Sequence, residues 1–191
     1  NGHVKLTSNS LYIPSLDLPL EQLQGDLTFY DNKTGIDDLQ ATLWGQPLRV
    51  QYAGEQQDKE YQVKLGLNGE WDNQRDAVLP TLAHQTLQGQ ANWQGSLDLH
   101  LYKGGHYYYD AQLTSPLSAL ALDLPAPYNK PAGRNWPLQV KISGNQDSSV
   151  IKGSLNHEWQ LQADWSPEQK QFRRFWLDNQ VIERSTGPRL P

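Results

Sequence analysis

Tyr61-Gln62-Val63-Lys64-Leu65-Gly66-Leu67-Asn68 decides the fold, because its two parities separate cleanly. Tyr61, Val63, Leu65 and Leu67 fall on one side, and Gln62, Lys64, Gly66 and Asn68 on the other. Side chains of a β-strand alternate between faces with a period of two, so this stretch reads as a strand with one apolar face and one wet face.

The same alternation extends in both directions. Upstream, Val4, Leu6, Leu11 and Ile13 read as strand material, and Leu23, Leu27 and Phe29 oppose Gln24, Asp26 and Thr28, with Gly25 on the apolar side. Asp31-Asn32-Lys33-Thr34-Gly35 is turn chemistry, with Gly35 expected to supply a positive φ. Leu39, Ala41 and Leu43 then alternate with Gln40 and Thr42, Gly45-Gln46-Pro47 reverses the chain, and Leu48, Val50 and Tyr52 return. Downstream, a long strand is expected from Leu87 through Trp93 to Leu97, Leu99 and Leu101, with a bulge or bend at Gly95. Gly104-Gly105 turns it into Tyr107 to Leu113. Further strands are expected at Leu138, Val140 and Ile142, at Ile151 to Leu155, at Trp159 to Trp165 and at Phe172 to Leu177. Only Asp72 to Gln85 breaks the pattern. Asp72 or Asn73 serves there as an N-cap, and Ala77, Val78 and Leu82 are spaced for one short helix bent by Pro80.

The fold class expected is therefore mainly β, antiparallel, with one short helix. An apolar strand face must be hidden by a second sheet, by closure into a barrel, or by curvature into an open trough that something else fills. Gly25, Gly66, Gly89 and Gly153 favour strong curvature. Gly25, Gly89 and Gly153 also recur at even intervals of 64 residues, each two positions after Leu23, Leu87 or Ile151, which suggests a stacked β array.

Composition narrows the function classes. The 16 Lys and Arg against 21 Asp and Glu give a net charge of −5 without long like-charged runs, which argues against a nucleic-acid surface. No apolar run of bilayer-spanning length and no signal-peptide pattern is present. With no Cys, disulfide frameworks, zinc knuckles and thiol nucleophiles are all removed. The chain opens on Asn1 and strand-like sequence and contains no Met, so a piece of a longer protein is expected: residues 1–182 as one β segment and 183–191 as a flexible or vector-derived tail.

Chemistry-bearing residues do not form a catalytic pattern. His3, His84, His100, His106 and His157 lack metal-ligand spacing, and His100 and His106, flanking Gly104-Gly105, are expected as a cross-strand polar pair. No carboxylate pair stands out, and no nucleophile elbow, P-loop or dinucleotide fingerprint appears, so neither enzyme activity nor a cofactor or metal is expected. Tyr107-Tyr108-Tyr109 and the tryptophans admit a carbohydrate platform on a β-sandwich, although aromatics also fill sheet cores and wet boundaries. Lys170, Arg173 and Arg174 form a small basic patch able to meet lipid phosphate, though a solvated strand face is the first reading of such a patch.

Two blocks carry a resemblance. Leu120-Ala121-Leu122-Asp123-Leu124-Pro125-Ala126-Pro127-Tyr128-Asn129-Lys130-Pro131-Ala132-Gly133 opens as a short strand and turns at Pro125. Its prolines cannot donate to a ladder, so it should lie along a sheet edge or cross an open end. This run resembles a signature of the YhdP family, AsmA-like and TamB-like proteins of the Gram-negative envelope. Leu39-Gln40-Ala41-Thr42-Leu43-Trp44-Gly45-Gln46-Pro47-Leu48 is similar to another stretch of that family, in the same order. The resemblance covers Leu18 to Gly144 well and the remainder loosely, with the polar loop Gly54 to Glu60 as a departure.

The resemblance implies a slice of a long, curved and twisted β-groove in the periplasm, part of a protein held in the inner membrane by a transmembrane helix outside this segment. The implied role is to shield phospholipid acyl chains between the two membranes and so support the outer-membrane permeability barrier. Its groove-lining residues would be Leu27, Phe29, Leu39, Leu43, Leu48, Val50, Val63, Leu65, Leu67, Leu97, Leu99, Leu101, Leu138, Val140 and Ile142, with no nucleic-acid partner. A carbohydrate-binding β-sandwich and a structural envelope spacer are the alternatives.

Overall fold

The computed structural model describes residues 1–13, 18–75, 81–126, 128–169 and 171–179. Among them run β1 (Gly2–Ile13), β2 (Leu18–Tyr30), β3 (Lys33–Leu43), β4 (Gln46–Gln56), β5 (Glu60–Asp72), α1 (Thr81–Thr86), β6 (Leu87–Tyr102), β7 (Tyr107–Ser115), β8 (Leu120–Leu122), β9 (Leu138–Asn145), β10 (Ser149–Leu155), β11 (Trp159–Ser166) and β12 (Gln171–Asn179). All strands belong to one antiparallel sheet in the order β1-β2-β3-β4-β5-β6-β7-β9-β10-β11-β12, with β8 attached to β6. The order is a meander because antiparallel neighbours need no crossover: short turns join most sequential strands, with α1 between β5 and β6 and the Pro-rich run between β7 and β9. β1 does not pair with β12, so the sheet is open, and no second sheet among the described residues closes a sandwich.

The alternation around Tyr61 explains the architecture. β5 pairs residue for residue with β4 on one side and β6 on the other, keeping Val63, Leu65 and Leu67 beside Leu99, Leu97 and Gly95. Bulges interrupt the ladders between β1 and β2, β2 and β3, β3 and β4, and β11 and β12, and Ser8 and Gln22 take positive φ of 70° and 54°. Each bulge increases local right-handed twist. The best-packed part is a cluster of Leu23, Ile36, Leu39, Ala41, Leu48 and Val50 on β2 to β4, flanked by Leu65, Leu67 and Trp93.

Several local expectations are corrected. The helix does not begin at Asp72 or Asn73, because Asp72 is the last residue of β5. Its amide donates to Gln46 Oε1 at 3.1 Å and its carbonyl accepts from Gln46 Nε2 at 3.0 Å, so an amide side chain takes the place of a further ladder partner. Asn73 instead binds the other end of α1, donating to the His84 carbonyl at 3.2 Å. Ala77, Val78 and Pro80 lie outside the described residues. The β2–β3 turn is Asp31-Asn32 with Asp31 at φ 45°, and Gly35 sits within β3. Gly95 is neither bulge nor bend, since β6 keeps register through it. A Cβ there would touch Leu67 and Trp93 at 3.4 Å, so the glycine makes room for an indole. The 64-residue regularity does not hold in space. Gly25 and Gly153 lie on the apolar face within the sheet, but Gly89 has φ +98° and pairs with β8.

The Pro-rich run crosses the strand ends. Leu120–Leu122 pairs with Leu87–Gly89, the Tyr128 amide donates to the Pro125 carbonyl at 3.0 Å as a turn, and the Trp136 amide donates to the Pro116 carbonyl at 3.0 Å. The excursion thus starts and finishes at one place. At its far side the ring of Tyr128 lies 5.8 Å from that of Trp159.

Candidate functional site: an apolar face running across the sheet

Directly opposed residues in neighbouring strands share a face, so register alone maps the surface. One row runs Ile36, Tyr52, Leu65, Leu97, Ala111, Ile142, Ile151, Ala163, Phe175. Beside it runs Leu39, Val50, Leu67, Gly95, Leu113, Val140, Gly153, Leu161, Leu177. Neither row contains a charged side chain. Toward the β4–β5 and β6–β7 turns the next row carries Phe29, Thr34, Gly54, Val63, Leu99, Tyr109, Gly144, Ser149 and Trp165. On the opposite margin lie Ala41, Leu48, Gly69 and Trp93, then Leu138, Leu155 and Trp159.

Register brings all the groove residues expected from sequence onto this face. Leu39, Leu48 and Val50 are buried in the cluster on β2 to β4; the others remain half-buried or exposed, with Phe29 and Leu101 each 38% exposed. The sequence list omits Ile36, Tyr52, Leu113, Ile151 and Leu161, which share the face. Ile36 is hidden by the bulge at Asp37 and Asp38, which changes parity between it and Leu39. Tyr52, Leu113, Ile151 and Leu161 were recoverable from alternation within their own strands.

The other face is wet. Lys64 opposes Asp98, Asp98 opposes Asp110, and Lys141 opposes Lys152. A concavity of about 620 Å³ is bordered by these charged side chains of both signs and by Leu65, Leu97, Ala111, Ile142 and Val150. Acyl chains lying there would take charges of both signs out of water, so the candidate site is the apolar face despite that cavity. His100 stands on the wet side opposite Tyr108, not His106, and its ring stacks on Tyr108 at 4.3 Å. Its Nδ1 lies 3.1 Å from Glu60 and its Nε2 3.2 Å from Asp98. A hydrogen bond from Tyr102, then His100, holds the Glu60 carboxyl below the usual carboxylate range, and the same Glu60 bond pushes the Tyr102 phenol up. No group of three or more potential metal ligands occurs among the described residues.

The aromatic run divides. Tyr107 and Tyr109 point to the apolar face, opposite Leu101 and Leu99, and Tyr108 to the wet one. One carbohydrate platform cannot use all three. The basic patch is also dispersed: Arg173 donates to Ser166 Oγ at 3.1 Å, Arg174 is 4.0 Å from Asp164, and Lys170 lies outside the described residues, as does 183–191.

No solved structure matches the chain. A curated relative, the "Intermembrane phospholipid transporter YhdP" of Escherichia coli (strain K12), is 32% identical over 192 residues. That alignment takes in all of this chain and 15% of the relative, so the chain spans under a sixth of that protein's length. The family model described as YhdP protein matches residues 1–190, and the strand blocks and Pro-rich run that suggested it fall inside that match. On this coverage, the open sheet with its single apolar face belongs to a member of the YhdP family.

Proposed function

We propose that this chain is a slice of an intermembrane lipid-transfer bridge, in which the sheet curves into a groove and its apolar face shields phospholipid acyl chains from water. One observation carries the reading. An apolar face continues from β3 to β12, no second sheet among the described residues covers it, and large aliphatic side chains on it, such as Leu65, Leu97, Val140 and Ile142, stay only half-buried. A contiguous exposed apolar surface of this extent marks a binding site and not a finished core.

Dimensions agree. Strands about 4.8 Å apart make the face on the order of 40 Å long from β3 to β12, and four rows two residues apart make it about 20 Å wide. One leaflet of a bilayer has about 15 Å of hydrocarbon. Each methylene kept from water there is worth about 0.8 kcal/mol, the same driving force that holds it in a membrane. Transfer between two such environments needs no bond made or broken, and direction is supplied from elsewhere. The setting is the periplasm, in a protein anchored to the inner membrane by a helix outside this segment, and its service is to the outer-membrane permeability barrier.

Mass spectrometry of solvent extracts from the purified intact protein is expected to show glycerophospholipid in at least stoichiometric amount. Extracts without lipid, from protein that retains its β circular dichroism, would count against the proposal.

A further inference from the structure

The turn-side margin of the apolar face carries hydroxyls that an apolar sheet does not need. Thr34 Oγ1 lies 3.0 Å from Tyr52 OH and 2.7 Å from Tyr61 OH, and the two phenols are 2.7 Å apart. The triangle stands over Gly54, where a Cβ would overlap all three oxygens. On the same row, past Val63 and Leu99, Tyr109 OH lies 2.6 Å from Ser149 Oγ beside Gly144, where a Cβ would lie 2.7 Å from that serine oxygen. Two hydroxyl clusters on one row, each with a glycine giving it space, stand three to four strand spacings apart, on the order of 14–19 Å.

A hydroxyl on an apolar face without a partner is costly, and phenylalanine or valine would pack the same positions. Each hydroxyl has one donor and can accept more than one bond. In the triangle every donor is used within the ring, so the cluster is satisfied when empty. A ligand oxygen can take one of those donors in exchange for one ring bond at little net cost. Burial raises the Tyr52 pKa, which keeps that phenol a donor.

The clusters are neutral. Among the described residues no Lys or Arg hydrogen-bonds to them, and Lys33, next to Thr34, points to the wet face and pairs with Glu55 at 3.4 Å. A phosphate would call for a cation, whereas a carbonyl oxygen asks only for a hydroxyl. We infer that this row is a rail of ester-binding stations, in which Thr34, Tyr52 and Tyr61, and again Tyr109 backed by the buried Ser149, donate to the acyl-ester carbonyls of a glycerolipid whose chains lie over the rows inward of it. The inference rests on the lipid-binding reading above and adds the part of the lipid that is recognised.

The test uses the purified intact protein equilibrated with mixed vesicles of dipalmitoyl phosphatidylglycerol and its dihexadecyl ether analogue, equal in headgroup and chain length, with bound lipid read by native mass spectrometry. The ester lipid is expected to win by about three- to tenfold, the worth of one net hydrogen bond. In Tyr52→Phe/Tyr61→Phe/Tyr109→Phe, which strips both stations of their phenols, the ester lipid should fall to about the level of the ether lipid, and Thr34→Val, the milder change at one station, should only narrow the gap. Equal binding of the two lipids by the unmodified protein overturns the rail and leaves the groove standing. An ester preference that survives undiminished in the triple variant also overturns it. Binding of neither lipid overturns the lipid reading itself, and the rail with it.

Discussion

Gly89→Ala is expected to destabilise the fold by about 3 kcal/mol. Two independent penalties meet at this position. Its φ of +98° is a conformation L residues rarely adopt, worth about 1–3 kcal/mol of strain. A Cβ would also lie 2.5 Å from the Ala119 carbonyl oxygen, a backbone atom fixed by pairing of Leu120 to Gly89 itself, so relief requires β8 to leave β6. Gly89 further accepts a hydrogen bond from the Asn73 amide at 3.2 Å, which ties the end of β5 to the same point. Gly105→Ala is the control: φ is +85°, but nothing lies within 4 Å of its Cβ, so only the strain remains. Urea denaturation should separate the two by at least about 1 kcal/mol; equal losses would mean that the β6–β8 junction is not rigid.

Lys130→Ala should cost about 3–4 kcal/mol, and Lys130→Met close to nothing. Lys130 is 1% exposed, and its ammonium donates to the Leu120 carbonyl, with the Pro131 carbonyl at 3.5 Å. No carboxylate is bonded to it among the described residues. Both changes remove the donor to the Leu120 carbonyl; alanine adds a cavity, while methionine fills the volume and offsets the lost bond by removing a desolvated charge. Burial, reinforced by the Arg134 charge, lowers the Lys130 pKa, so the unfolded chain binds that proton more tightly. Stability should rise as pH climbs from this lowered value toward the ordinary lysine range, and below that window the full cost is present. Lys130→Met should lack the rise. A methionine variant as damaged as the alanine one would show that the charge itself holds the Pro-rich excursion.

How far the sequence reaches can be judged from the same residues. Tyr61 to Leu67 announced its two faces because water on one side demands polar residues at every second position, and neighbouring strands then inherit the register. The Pro-rich run announced a segment outside the ladder because proline has no amide proton. Lys130 inside that run gave no sign of burial, since its stabilising partner is a backbone carbonyl and carries no side-chain signature. Gly54 read as the start of a polar loop, yet β4 continues to Gln56, and Tyr52, Gly54 and Tyr61 fall on one face around the hairpin. Parity could have placed those three together; Thr34 comes from β3 and needed the ladder to bring it opposite Gly54. The helix was misplaced for a related reason, because Gln46 imitates a strand partner for Asp72 and no local pattern shows that.

The most direct measurement of the central claim is site-specific photo-crosslinking in cells, in the intact protein, at Leu65 and at Lys64. Leu65 lies in a central apolar row beside Tyr52 and Leu97, while Lys64, one residue earlier, opposes Asp98 on the wet face. Because neighbouring strand positions face opposite sides, the pair is its own control. The probe at Leu65 is expected to capture phospholipid and the probe at Lys64 none. Lipid captured equally at both would reduce the signal to nonspecific membrane contact, and lipid at neither, with Leu65 crosslinking only to protein, would contradict an acyl-chain groove in this segment.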